Sequence, residues 1–172
     1  TLFACNQADI TPDFLCLSKG LSGGYLPLSV VMTTDTVFQA FYDDKTAHAF
    51  LHSHSHTGNA LACRAALATL DIFEHDHVIE TNKSKAAYLN KIAAPLADHP
   101  KIRNFRNCGM IWAFEVETND CEFAANCFQA GLKQQILLRP LGKTIYFMPP
   151  YIINEQEIDL LVNGTLHVLD TF

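Results

Sequence analysis

Two short apolar runs near the start of the chain, Phe14–Leu17 (FLCL) and residues 26–34 (LPLSVVMTT), read as strands, and they limit what this sequence can fold into. The first is bounded by Pro12 and Gly20, and the second is rich in β-branched side chains. Little follows at once to cover them: a short helix is predicted over 36–42, then a polar loop over 43–46. Two strands alone do not hold a sheet together in water. They are therefore expected to belong to a larger sheet, or to find a partner chain. The chain starts with Thr rather than Met, and we read it as processed or as a piece of something longer.

Further on, the pattern turns helical. Ala62, Ala66, Leu70 and Phe73 recur at spacings of three and four, so a helix is predicted over 59–73. A second is predicted over 78–97, stopped near Pro100. A strand is predicted over 108–116 (CGMIWAFEV), a helix from Asn119 and Glu122 to Gly131, and short strands over 136–138 and 144–148 around a turn at Leu141 and Gly142. Asn154 and Glu157 open a last helix with Ile158, Leu161, Val162, Thr165 and Leu169 on one face. The expected class is α/β, with one domain over 1–75 and a smaller α+β domain over 76–172.

Composition narrows the function. The formal charge of -6 argues against nucleic acid or an anionic membrane as the main partner. No apolar run approaches the roughly 20 residues of a spanning helix, and TLFACNQADI has no basic region followed by an apolar one, so no signal peptide is expected. Six cysteines without a CxxC pair, mostly inside apolar segments, read as buried reduced thiols of a cytoplasmic protein.

The link between the first two strands is SKGLSGG. A lysine at a strand end is ordinarily a surface residue. Here the strand before it is apolar throughout, and Gly20, Gly23 and Gly24 let the backbone approach a ligand closely. A lysine in a partly desolvated pocket becomes a nucleophilic amine. The stretch PDFLCLSKGLSGGYLPLSVVMTT resembles the cofactor-lysine segment of the class III, fold-type I aminotransferases, in which a K-G-x-x-G-G-x-x-P pattern is matched here by Lys19, Gly20, Gly23, Gly24 and Pro27. The resemblance implies that Lys19 is catalytic, bonding the aldehyde of pyridoxal 5'-phosphate and moving a proton to and from the substrate.

HSHSHTGN is the second landmark. His52, His54 and His56 alternate and would share a face on a strand, a conceivable metal site, though no Asp, Glu or Cys accompanies them. An exposed polar loop is the plainer reading. The family carries an H-G-x-T/S-x-x-G-N/H stretch before an alanine-rich helix. Aligned on His52, Gly58 and Asn59, its phosphate-binding hydroxyl is Ser55, acting on the cofactor of a neighbouring subunit, and its glycine is Ser53, here assigned to substrate binding.

The third landmark is LLRPLGKTIYFMPPYII. An arginine in a fixed turn is either a structural ion pair or a bidentate carboxylate anchor. The R-P-x-G-x-x-I-Y-x-M-P-P-Y-I-I pattern resembles the branch of the family that converts 8-amino-7-oxononanoate to 7,8-diaminononanoate in biotin synthesis. That resemblance implies Arg139 on the substrate carboxylate and Tyr146 lining its site, with S-adenosylmethionine as amino donor and a homodimer as the working form. The family's D-E-x-x-x-G-F-G-R-T-G stretch, whose aspartate pairs with the cofactor's ring nitrogen, is not recognisable here, so the chain resembles a C-terminal part. The alternatives are another class III transaminase, acting on an ω-amino acid or diamine, and a non-catalytic remnant.

Overall fold

The computed structural model describes residues 1–172, which divide into two compact units, Thr1–Ile79 and Glu80–Phe172.

In the first unit a single turn, α1 (Ala4–Ala8), precedes β1 (Phe14–Leu17). β1 pairs antiparallel with β2 (Val30–Thr33) in a register that sets Phe14 against Thr33 and Leu17 against Val30. β2 is shorter than its apolar run. Pro27 has no N–H for a ladder, and residues 26–29 are drawn into the connection instead. A short helix, α2 (Asp35–Gln39), follows. In the loop after it, Asp43 accepts hydrogen bonds from the Lys45 N–H (2.8 Å) and from His48 Nδ1 (2.6 Å), and these hold its carboxyl below the ordinary range. The long helix α3 (Ala60–His75) is capped by Asn59, whose Oδ1 accepts from the Ala62 N–H at 3.1 Å.

Only Ser22, Ala62 and Ala66 are buried in this unit, while Phe14, Val31, Met32 and Phe41 stay exposed. The two-stranded sheet has no covering layer, as its sequence leads one to expect.

The second unit has a core. α4 (Val78–Ile92) leads to a single turn, α5 (Ala94–Ala97), where one helix over 78–97 was predicted. The break falls at Ala93 because Pro95 lacks an N–H and its ring would strike the carbonyl one turn earlier. The predicted strand over 108–116 is β4 (Ile111–Val116), and a strand that was not predicted, β3 (Ile102–Cys108), turns into it at Gly109, φ +57. β3 escaped prediction because IRNFRNC is mostly polar, and a register shift between Arg103 and Arg106, with Asn104 at φ 54, breaks its alternation. α6 (Phe123–Lys133), β5 (Thr144–Phe147) and α7 (Glu155–Leu169) complete the unit, with the sheet ordered β3-β4-β5 and antiparallel throughout. Asn154 and Glu157 form the expected reciprocal cap of α7, each bond 2.9 Å.

One face of this sheet is dry. Trp112, Phe114 and Val116 of β4 and Ile145 and Phe147 of β5 alternate inward against Leu89, Leu96, Cys127, Ile158, Val162 and Leu169. The Trp112 indole donates to Asn90 Oδ1 at 2.6 Å. All six cysteines are free thiols, but only Cys127 is buried; Cys16, Cys108 and Cys121 are exposed, against the expectation of buried thiols. Short strands place alternate residues outward, and β1 has no layer above it. No helix is long and apolar enough to cross a membrane.

Candidate active site

β1 and β2 are joined by residues 18–29, and this connection carries Lys19. The chain leaves Leu17, extends at Ser18, and closes a tight helical turn over Lys19–Ser22 through Leu21 N–H to Ser18 O (3.1 Å) and Gly23 N–H to Gly20 O (3.0 Å). Lys19 itself sits at φ 53, a left-handed conformation that costs a non-glycine residue on the order of 1–3 kcal/mol and persists only where its surroundings impose it. Gly23 and Gly24 continue at φ +61 and +80. Around Gly20 and Gly24 a Cβ would meet nothing within 4 Å, so the backbone there is open to a ligand.

The turn faces an open cavity of about 1360 Å³. One wall is Lys19 with the glycine backbone and Tyr25; the other is His54, His56, Thr57, Gly58 and Asn59 leading into α3. Helix and turn come this close because α3 presents Ala62 and Ala66, and Thr69 Oγ1 stands 3.3 Å from where a Cβ on Gly23 would lie. Lys19 is exposed in this chain rather than enclosed, since nothing covers the sheet that carries it.

His54 and His56 lie in a turn, with His52 in irregular chain before it and none on a strand, so their alternation does not give them a common face, and no group of three His, Cys, Asp or Glu residues is placed to hold a metal. Thr57 Oγ1 accepts from the His54 N–H at 3.1 Å, while Ser55 is exposed with its hydroxyl uncommitted. Gly58 makes the turn at φ +66. Neither Ser53 nor Ser55 lines the Lys19 cavity. His54, His56 and Thr57 do line it, and the sequence reading missed them there; only the tertiary contact of α3 with the lysine turn brings them in.

Arg139 and Tyr146 lie in the second unit. The segment before Arg139 was predicted as a strand over 136–138. It alternates, with Ile136 and Leu138 buried and Leu137 and Arg139 exposed, but no strand lies beside it to form a ladder. It is held by glycines instead. A Cβ on Gly131 would meet Ile136 O at 3.1 Å, and one on Gly164 would meet Ile136 Cδ1 at 3.0 Å. Arg64, Arg103 and Arg106 each face a carboxylate, at 3.5, 2.9 and 3.8 Å, but Arg139 has none. Tyr146 stands opposite Ala113 on the face of β5 turned away from the core.

The profile of class-III aminotransferases matches residues 1–169. The chain belongs to that family. This class III chain is 48% identical, over 99% of its length, to the adenosylmethionine-8-amino-7-oxononanoate aminotransferase of Helicobacter pylori, and covers 40% of that protein. It is 37% identical, over 95% of its length, to the enzyme of the same name from Geobacter sulfurreducens, covering 38% of it. It thus spans about two fifths of the curated relatives it matches. Among solved structures, the adenosylmethionine-8-amino-7-oxononanoate aminotransferase of Methanocaldococcus jannaschii superposes with a TM-score of 0.88 at 32% identity, over 99% of this chain and 42% of the other. The omega transaminase of Pseudomonas jessenii in complex with PMP superposes at 0.90 with 26% identity, over 99% and 40%. The fold is therefore the α/β fold of the class III transaminases.

Proposed function

We propose that this chain supplies the lysine-bearing part of an aminotransferase that converts 8-amino-7-oxononanoate to 7,8-diaminononanoate, with pyridoxal 5'-phosphate as cofactor and S-adenosylmethionine as amino donor, working as a cytoplasmic homodimer. One observation carries the reading: the Lys19 amine stands at the wall of a cavity whose floor is bare glycine backbone and whose far side is the first turn of α3. These residues fit the cofactor. An aldehyde needs an amine, a flat ring needs close backbone approach, and a phosphate suits a hydroxyl beside a helix start. When bound, the cofactor supplies an electron sink for the substrate's α-carbon.

The residues of the chain divide the remaining work. Lys19 Nζ would hold the cofactor through its aldehyde and, when free, would hold and return a proton at the substrate. Ser55, uncommitted and outside its own chain's cavity, is suited to the phosphate bound by a second subunit, with Ser53 beside it meeting substrate. The exposed apolar faces of the first unit supply the surface that such an assembly buries. Arg139, the arginine without a carboxylate of its own, is available to the substrate carboxylate, with Tyr146 lining that site. We assign residues 1–75 to the cofactor-binding domain and 76–172 to the small C-terminal domain. The names of the relatives support the substrate.

The test is a chimera in which these 172 residues replace the matching part of the Helicobacter pylori relative. With pyridoxal 5'-phosphate, S-adenosylmethionine and 8-amino-7-oxononanoate, it is expected to form the diamine. A second reading, amino transfer from an ω-amino acid or a diamine, is favoured by the backbone likeness to the Pseudomonas jessenii enzyme. Turnover of such amines, without the diaminononanoate product, would replace the first reading with the second. A folded chimera that turns over neither would mark a non-catalytic chain.

A further inference from the structure

Ser22 is the buried polar residue of the first unit, 2% exposed, and it is not among the residues that line the Lys19 cavity. Its hydroxyl donates to the carbonyl of Leu26, reaching across Gly23, Gly24 and Tyr25, while the Tyr25 N–H returns to the Ser22 carbonyl at 3.2 Å. The bond closes a ring of backbone that contains Gly23 and Gly24, both of left-handed conformation. The ring packs against α3, where Thr69 Oγ1 stands 3.3 Å from where a Cβ on Gly23 would lie and is itself spent on Ala65 O at 3.0 Å, and where Ala62 and Ala66 are the other two buried residues of the unit.

We propose that Ser22 is a positioning residue for Lys19: its hydroxyl, bonded to the Leu26 carbonyl, holds the double-glycine turn closed and so keeps the Lys19 amine facing the cavity. The inference rests on the reading of Lys19 as the cofactor lysine. A left-handed lysine relaxes to an ordinary conformation once its turn is free to open, and that relaxation swings the side chain away. The two local bonds of the turn, from Leu21 and Gly23, run between backbone atoms of its first half. From Gly23 to Leu26 the hydroxyl of Ser22 is the side-chain tie. Without it the Leu26 carbonyl turns to water and the glycines, which lack rotational restraint, are free to follow.

The experiment traps pyridoxal 5'-phosphate on the chain with borohydride and counts, by peptide mass spectrometry, adduct at Lys19 against the other seven lysines, alongside thermal melting. The wild-type chain is expected to label preferentially at Lys19. Ser22→Ala is expected to lower that preference fivefold or more at temperatures where the protein remains folded, and Ser22→Thr, which retains a hydroxyl, to restore most of it. Ser22→Cys, nearly isosteric but a weak donor, carries the comparison with Ser22→Thr if the alanine variant does not fold. A wild-type preference for Lys19 that survives in both Ser22→Ala and Ser22→Cys would overturn the role of Ser22 and leave the lysine assignment standing. Equal labelling of all lysines in the wild-type chain would overturn both.

Discussion

The hydroxyl of Tyr88 donates to Asp159 Oδ1 across 2.9 Å and ties the middle of α4 to α7. That bond, then desolvation, then the charges of Asp159 and Glu155, raise the Tyr88 pKa above its ordinary 10.0. The folded state therefore keeps the proton to higher pH than the unfolded chain does. The contribution is complete below the unfolded pKa and is lost as pH rises through the folded one. Urea unfolding between about pH 9 and pH 11 is expected to show a steeper loss of stability in the wild-type than in Tyr88→Phe. The Cys127 thiol titrates with the same sign, so the difference between the two proteins is the readout. Identical slopes would mean that the bond does not form in solution.

Lys19→Ala, made in the chimera, is expected to abolish both diamine formation and the visible absorbance of lysine-bound cofactor. Turnover that survives the substitution would remove Lys19 from the chemistry.

For Arg139→Ala the expectation is asymmetric. A charge-assisted, bidentate contact is worth about 1.5–3 kcal/mol, roughly ten- to hundredfold in apparent affinity. KM for 8-amino-7-oxononanoate should rise by that factor and KM for the amino donor should hardly move. Equal effects on the two substrates would make Arg139 structural.

Phe114 is fully buried and meets the rings of Phe105 and Phe147 at centroid distances of 5.8 and 5.6 Å. Phe114→Ala leaves a cavity at the centre of the second unit and is expected to cost about 3–5 kcal/mol. A denaturant midpoint that barely shifts would show that the sheet repacks.

Burial pushes the Cys127 thiol up to about 11, so it has little thiolate at neutral pH and no access besides. A maleimide is expected to modify Cys16, Cys108 and Cys121 in the folded protein and Cys127 only after unfolding. Early modification of Cys127 would indicate that α6 opens from the core.

Elements with a strong local signal were legible in advance. The apolar run Phe14–Leu17 is β1 to the residue, Asn154 with Glu157 opens α7, and α3 forms where Ala62, Ala66, Leu70 and Phe73 recur, burying the two alanines but leaving Leu70 exposed. These rest on side-chain size, period and capping, which act between near neighbours. β3 and the break at Ala93 were not legible. A polar strand with a bulge is stabilised by its partner β4 and not by its own composition, and a proline one residue inside a new helix looks the same as one inside an old one.

For the site, the sequence by itself determined which groups are available: an amine among glycines at Lys19, a hydroxyl loop at 53–57, and an arginine in a turn at Arg139. Only the tertiary structure decided how they are presented. It set Lys19 left-handed on a turn clasped by Ser22, brought His54, His56 and Thr57 to the same cavity, took up the Thr57 hydroxyl and left that of Ser55 uncommitted, and left Arg139 without a carboxylate. The reason is distance along the chain. The lysine turn and the start of α3 are some forty residues apart, and whether they meet depends on two alanines small enough to let a helix lie against a glycine turn, a packing relation that no local pattern encodes.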